Sequence, residues 1–231
     1  MKPTSIFTII FAFFVFSFQA QETPITPEGR ALSAFLDSLR VEELWQASRR
    51  VNWLTGEPKT GILNDGKPHT HCSAFVAAAA YKLNIYILRP PDHSETLLAN
   101  AQFDWLGQAG KAQGWLELES GLKAQGFANQ GFFVVAVYKS RKIDASGHIA
   151  IIRPENKTEE LILKQGPQLI QAGMKNHRST SLHEGFKQHP LAFKPGKIRF
   201  FAHAVDPTWL MQKTKIEPTQ KTDKMNCLAK S

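Results

Sequence analysis

The chain has 231 residues, 42% hydrophobic and 10% aromatic, which is enough apolar material for one domain with its own core and too much for a disordered chain. Its formal net charge of +8 at pH 7 suits an anionic partner such as an envelope polymer, or else a lysine-rich solvated surface, while two cysteines are too few for a disulfide scaffold. Nothing in it reads as a nucleic-acid module, so no nucleic-acid partner is expected.

Taken in order, Lys2, the apolar run from Ile6 to Phe16 and a small residue at Ala20 predict a secretory signal peptide over residues 1–20. The run is short for a bilayer, which needs about 20 apolar residues, so the expected product is secreted or periplasmic with no stable membrane span after signal cleavage. A Pro-bearing lead-in follows over residues 21–27. Ala31, Leu32, Phe35, Leu36, Leu39, Leu44 and Trp45 recur at helical spacing and predict one or two helices between about residues 28 and 52. Gly56 and Pro58 stop that run, and residues 56–69 read as a loop.

The alanine-rich stretch that begins at Cys72 predicts a helix ending near Asn84, with Phe75, Val76, Ala79, Ala80 and Leu83 as its apolar positions. Ile85 to Leu88 reads as a short strand closed by Pro90 and Pro91, and Ser94 as the cap of a further helix ending between Gly107 and Gly110. From there the period changes. Trp115–Leu118, Phe132–Tyr138, Ile149–Ile152, Leu161–Leu163, Leu169–Ile170 and Ile198–Phe201 all read as strands. Helices first and strands second predict an α+β domain over residues 28–210, its N-terminal helices packed on an antiparallel sheet. Residues 211–231 form a basic polar tail without periodicity, and the tail carries the second cysteine, Cys227.

The chemistry concentrates at two places. A thiol at a helix start, as at Cys72, faces unpaired N–H groups and the positive end of the helix dipole, which favours its thiolate. An imidazole at the start of a strand, His148 after Gly147, supplies the base that such a nucleophile needs. The plainer readings are a buried structural cysteine and a core histidine. A Cys72–Cys227 bridge would tie a polar tail to a buried helix, which argues against it. His69, His71 and Cys72 invite a zinc site, but no second Cys/His pair stands at ligand spacing, so no metal and no cofactor is expected and His71 is placed beside the thiol. Trp53 and Trp105 are candidates for a groove wall or for the core.

A cysteine heading a small-residue helix, followed by Gly147-His148-Ile149-Ala150-Ile151, resembles the NlpC/P60 and CHAP group of papain-like hydrolases, over roughly Asn52 to Gln171. Those proteins are mostly bacterial enzymes that cut amide bonds in peptidoglycan. The resemblance implies a papain-like fold and an exported cysteine amidase or peptidase whose partner is peptidoglycan or another peptide-amide substrate, with a monomer as the expected state. It implies Cys72 as nucleophile and His148 as base. It further implies a third, orienting polar group on the strand after the histidine strand, where Gln171 is best placed and Glu155 and Asn176 are alternatives. The group's Gly-Asp-hydrophobic strand has its nearest counterpart in Gly131-Phe132-Phe133-Val134-Val135-Ala136-Val137, which lacks the aspartate. Two other readings stand beside this one: an exported cell-wall binding module without turnover, and an acyl-transfer enzyme acting on another substrate with the same core.

Overall fold

Two apolar runs, Phe133–Tyr138 and His148–Ile152, are buried at every position, and strands of that kind need cover on both faces. The computed structural model describes residues 24–62, 69–142, 144–206 and 208. The expected signal peptide, the start of the lead-in over residues 21–23, the tail and Cys227 lie outside the described residues. In chain order the elements are α1 (Pro27–Ser38), β1 (Arg49–Val51), β2 (Pro58–Ile62), α2 (Cys72–Lys82), α3 (Leu98–Gln108), β3 (Leu116–Leu118) and α4 (Gly121–Asn129). Then come β4 (Phe133–Tyr138), β5 (His148–Ile152), α5 (Glu159–Gln165), β6 (Gln168–Gln171), β7 (His177–Ser181), α6 (Leu182–Gly185) and β8 (Ile198–His203). The fold is α+β. A six-stranded antiparallel sheet runs in the order β3-β8-β4-β5-β6-β7, and β1 and β2 pair as a separate ribbon.

The strand period divides the core between the two faces of the sheet. Phe133, Val135, Val137, Ile149, Ile151, Ile170 and Phe201 pack with α1, α2 and residues of α3. Val134, Ala136, Tyr138, Ala150, Ile152, Leu169 and Ala202 pack with α4, Leu182 and Phe186. α2 is buried along its length from Cys72 to Ala80, so it has no solvated stripe and serves as the central helix of its layer. Its alanines let it sit close to β5, and Phe75 meets Trp45 edge-on at 5.2 Å.

One side chain aligns the strand that carries His148. Asn100 of α3 accepts the Ser140 and Gly147 N–H groups on its Oδ1 and donates to the Ala145 carbonyl, which closes the β4–β5 connection. Gly147 is required there, because a Cβ would fall 2.0 Å from the Tyr138 carbonyl oxygen.

Several expected elements differ. Leu44 and Trp45 are not helical; Trp45 takes φ 51°, is fully buried and donates its indole N–H to the Trp53 carbonyl, so a tertiary bond overrides the helical spacing. Part of the expected loop 56–69 is strand β2. Ile85 and Ile87 are buried, but the segment to Leu88 is unpaired as a strand, since the Tyr86 and Leu88 carbonyls accept side-chain bonds from Trp115 and Gln102 instead. Ser94 caps nothing: α3 begins at Leu98, after Leu97 at φ 53°. Leu161–Leu163 is helix α5, capped by Thr158 with Glu159 and Glu160 in its first turn, and Leu163 is exposed. α4 and β7, which carry little apolar periodicity, were not anticipated.

Candidate active site

Cys72 opens α2 directly after Thr70 and His71, and it is a buried free thiol, 3% exposed. The backbone N–H groups of Ser73 and Ile149 and the Thr70 hydroxyl act on its sulfur and favour the thiolate, but burial outweighs them and pushes the thiol above its ordinary value. This corrects the expectation drawn from the helix start. A dipole and a few donors lower a thiol's pKa where water still reaches it, and here they work against desolvation. Alkylation by iodoacetamide checks the point. In the folded protein Cys72 should react slowly at pH 6 to 7 and faster only as the pH rises past the usual thiol range, while in denaturant it should react as an ordinary cysteine. Fast labelling at pH 6, read by peptide mass, would contradict the raised thiol.

His148 is the first residue of β5, and its Nε2 lies 2.9 Å from Gln171 Oε1 at the end of β6. Both side chains are buried. An amide oxygen only accepts, so Nε2 carries the hydrogen and donates, and Nδ1 keeps the lone pair that a base uses. The ring is packed from two further sides, by Phe186 edge-on at 4.7 Å and by His189 stacked at 5.4 Å with 17° between the planes. Burial holds the His148 pKa below the ordinary value for histidine, and the Gln171 bond partly offsets this. At neutral pH the resting site therefore holds a neutral thiol and a neutral imidazole. Gly185 makes room for the amide, since a Cβ there would stand 2.7 Å from Gln171 Oε1.

The sheet's parity separates the two groups. His148 projects toward Phe186 and His189, whereas α2 packs on the opposite face with Ile149 and Ile151. The thiol meets β5 at the Ile149 N–H, at the end of the strand where pairing to β6 is open; that pairing covers Ile151↔Ile170 and Ile152↔Leu169. No hydrogen bond joins Cys72 to His148 in this resting arrangement. Thr70 links the two, acting on the sulfur and lining a small cavity of about 90 Å³ together with His148, Gln171, Gly173 and His189.

The alternatives to Gln171 stand elsewhere. Asn176 donates to the Val41 and Leu44 carbonyls and accepts from Gly173, which fixes the turn beside His148. The Glu155 backbone is held by Asn129, and its carboxylate acts on Lys157. His71 is buried and donates to the Arg49 carbonyl at 2.8 Å. Trp53 and Trp105 are partly buried against the core, edge-on to Tyr81 and Tyr86 respectively. Among the described residues no three His, Cys, Asp or Glu side chains are grouped to hold a metal, and no helix is long and apolar enough to cross a membrane.

His189 was missed in the sequence because it lies in a polar segment with no pattern. Its pKa is lowered to about 4 by burial and by the neighbouring His148. His71 and His148 are lowered as well, chiefly by burial. Each binds a proton less readily folded than unfolded, so below about pH 6.5 the unfolded chain takes up more protons and stability falls with the pH. Urea denaturation should show a plateau above pH 7 and a loss of stability from about 6.5 toward the His189 value of about 4. His189→Phe keeps a ring against His148 and should flatten part of that slope; an unchanged slope would show that His189 titrates normally.

No protein-family model matches the chain, and no curated protein matches it.

Proposed function

We propose that this chain is an exported papain-like cysteine hydrolase that cleaves amide bonds in the peptide part of peptidoglycan, with Cys72 as nucleophile, His148 as base and Gln171 as the group that orients the imidazole. The observation that carries the reading is the buried His148–Gln171 bond, which leaves Nδ1 as the basic nitrogen, while the thiol of α2 reaches the same strand end from the other face at the Ile149 N–H. A helix led by cysteine and packed on an antiparallel sheet supports the papain-like reading of the α+β fold, and a basic chain suits an anionic wall polymer.

With the neutral pair as the resting state, the proton moves as substrate binds. His148 Nδ1 takes the Cys72 proton while sulfur bonds to the amide carbonyl carbon. The Cys72 backbone N–H at the start of α2 stabilises the oxyanion. The imidazolium gives its proton to the leaving amine as the carbon–nitrogen bond breaks. Water, deprotonated by His148, then cleaves the thioester, which releases the acid and restores the thiol. The thiol and the imidazole rest on opposite faces of the sheet, so this sequence requires the His148 ring or the start of α2 to move around the strand end as substrate binds.

The test is to incubate the full chain with purified peptidoglycan and to identify released peptides and new amine termini by mass spectrometry. One feature favours the second reading, a wall-binding module without turnover: the thiol is raised and unbonded to His148. Sedimentation with sacculi but no released peptide would select that reading instead.

A further inference from the structure

Trp53 and Trp105 act at the far end of α2 from Cys72, each backing a tyrosine. Trp53 meets Tyr81 edge-on at 5.9 Å, and Trp105 meets Tyr86 edge-on at 5.4 Å. α2 closes at Leu83, and Asn84 at φ 58° turns the chain so that Tyr86 comes back beside Tyr81. The Arg89 guanidinium lies over both tyrosine rings, 5.0 Å from the centre of Tyr81 and 4.7 Å from that of Tyr86. The Tyr86 hydroxyl donates to the Asp92 carboxylate at 2.7 Å, which fixes that ring further. Tyr81, Tyr86 and Arg89 line, with Lys82, Asn84 and Ile85, a cavity of about 390 Å³.

The lining selects among ligand classes. The guanidinium fills the space over the two rings that a flat nucleobase would need, and its charge is set against both ring faces and the carboxylate three residues on, so the cavity does not call for an anion. It offers an aromatic surface, since Tyr81 is 49% exposed despite its two ring contacts, beside guanidinium donors and the exposed Asn84 amide, which both donates and accepts. A pyranose ring matches that set. Its C–H face covers an aromatic ring, and its hydroxyls pair with the amide and the guanidinium. Rings already held edge-on lose little freedom when they are covered, which is the preorganisation that lets a small contact bind.

We propose that this cavity binds a sugar ring of a glycan strand. The binding stands apart from turnover, and only its place in wall cleavage rests on the hydrolase reading above. α2 runs from Cys72 to Lys82, so the cavity lies about 15 Å along the helix axis from the thiol end. Four extended residues cover roughly that length, at ~3.3–3.6 Å each. A glycan held here leaves its attached peptide long enough to reach the start of α2.

The experiment measures binding of the full chain to soluble peptidoglycan glycan strands from which the peptides have been removed, by calorimetry. The same measurement is made with Tyr81→Ala, Tyr81→Phe and Arg89→Gln, and thermal melts check each fold. The wild-type chain should bind the bare strands, Tyr81→Ala and Arg89→Gln should each weaken binding roughly tenfold, and Tyr81→Phe, which keeps the ring, should stay within about twofold. No binding of bare strands, or binding unchanged in both Tyr81→Ala and Arg89→Gln, overturns the proposal. Hydrolysis is scored separately, on intact sacculi and on sugar-free peptide fragments. Tyr81→Ala should raise KM on sacculi and leave the peptide fragments unaffected. Glycan binding that depends on Tyr81 without any hydrolysis keeps the sugar site and rejects the hydrolase, whereas hydrolysis without glycan binding keeps the hydrolase and rejects the sugar site.

Discussion

Cys72→Ala is expected to abolish peptide release from purified peptidoglycan, by on the order of 10,000-fold or more, while the protein stays folded. The chemical reason is that Cys72 carries the free thiol at the α2 N-terminus, and the Thr70 and Ser73 hydroxyls beside it are far weaker nucleophiles than a thiolate. The structural reason is that the change deletes one buried sulfur from a helix that alanine suits. The cavity is small, so the stability cost should be about 1 kcal/mol, well below what unfolds a domain. Activity and the denaturation midpoint, measured on the same preparation, separate the two effects. Full hydrolytic activity in the alanine variant would falsify the cysteine mechanism.

His148→Ala should be nearly as damaging, and the double variant with Cys72→Ala little worse than either single one, because nucleophile and base act as a unit. In the proposed mechanism Gln171 is a positioning residue, and its removal acts through the ring it holds. Gln171→Ala should lower kcat by roughly a hundredfold with little change in KM, the cost of a misplaced base. It also leaves a mark that a purely structural role would not. The Gln171 bond raises the His148 pKa against the lowering by burial. A protonated imidazole cannot accept the thiol proton, so activity falls as the pH drops through that pKa. Gln171→Ala should therefore shift the acid limb of kcat/KM to lower pH. Gln171→Glu, which keeps the acceptor and adds charge, should shift it higher and recover part of the rate. Acid limbs that coincide in all three proteins would remove Gln171 from the site.

Much of this site was legible residue by residue, for local reasons. Alanine content and spacing start a helix at Cys72, the Gly147–Ile152 run makes a strand that begins at His148, and the strand after it ends at Gln171. Those are consequences of propensity and period, which neighbours in sequence carry. Where the sequence reading failed, a hydrogen bond that the hydrophobic period does not encode had decided. Trp45 left its helical pattern for the Trp53 carbonyl, Ile85–Leu88 gave its carbonyls to side chains of other elements, and the 161–163 run became helical through a Thr158 cap and lies largely at the surface.

The sequence by itself determined the α+β class and the identity of the groups that could react, because both depend on residue type and local order. Only the tertiary structure decided their state. Burial overrides the helix start at Cys72, the antiparallel register brings Gln171 rather than Asn176 or Glu155 to His148, and α6 and the segment after it set Phe186 and His189 against the ring. Desolvation and long-range pairing are properties of what surrounds a side chain, and the residues that surround this site come from segments more than a hundred positions apart, from Thr70 to His189.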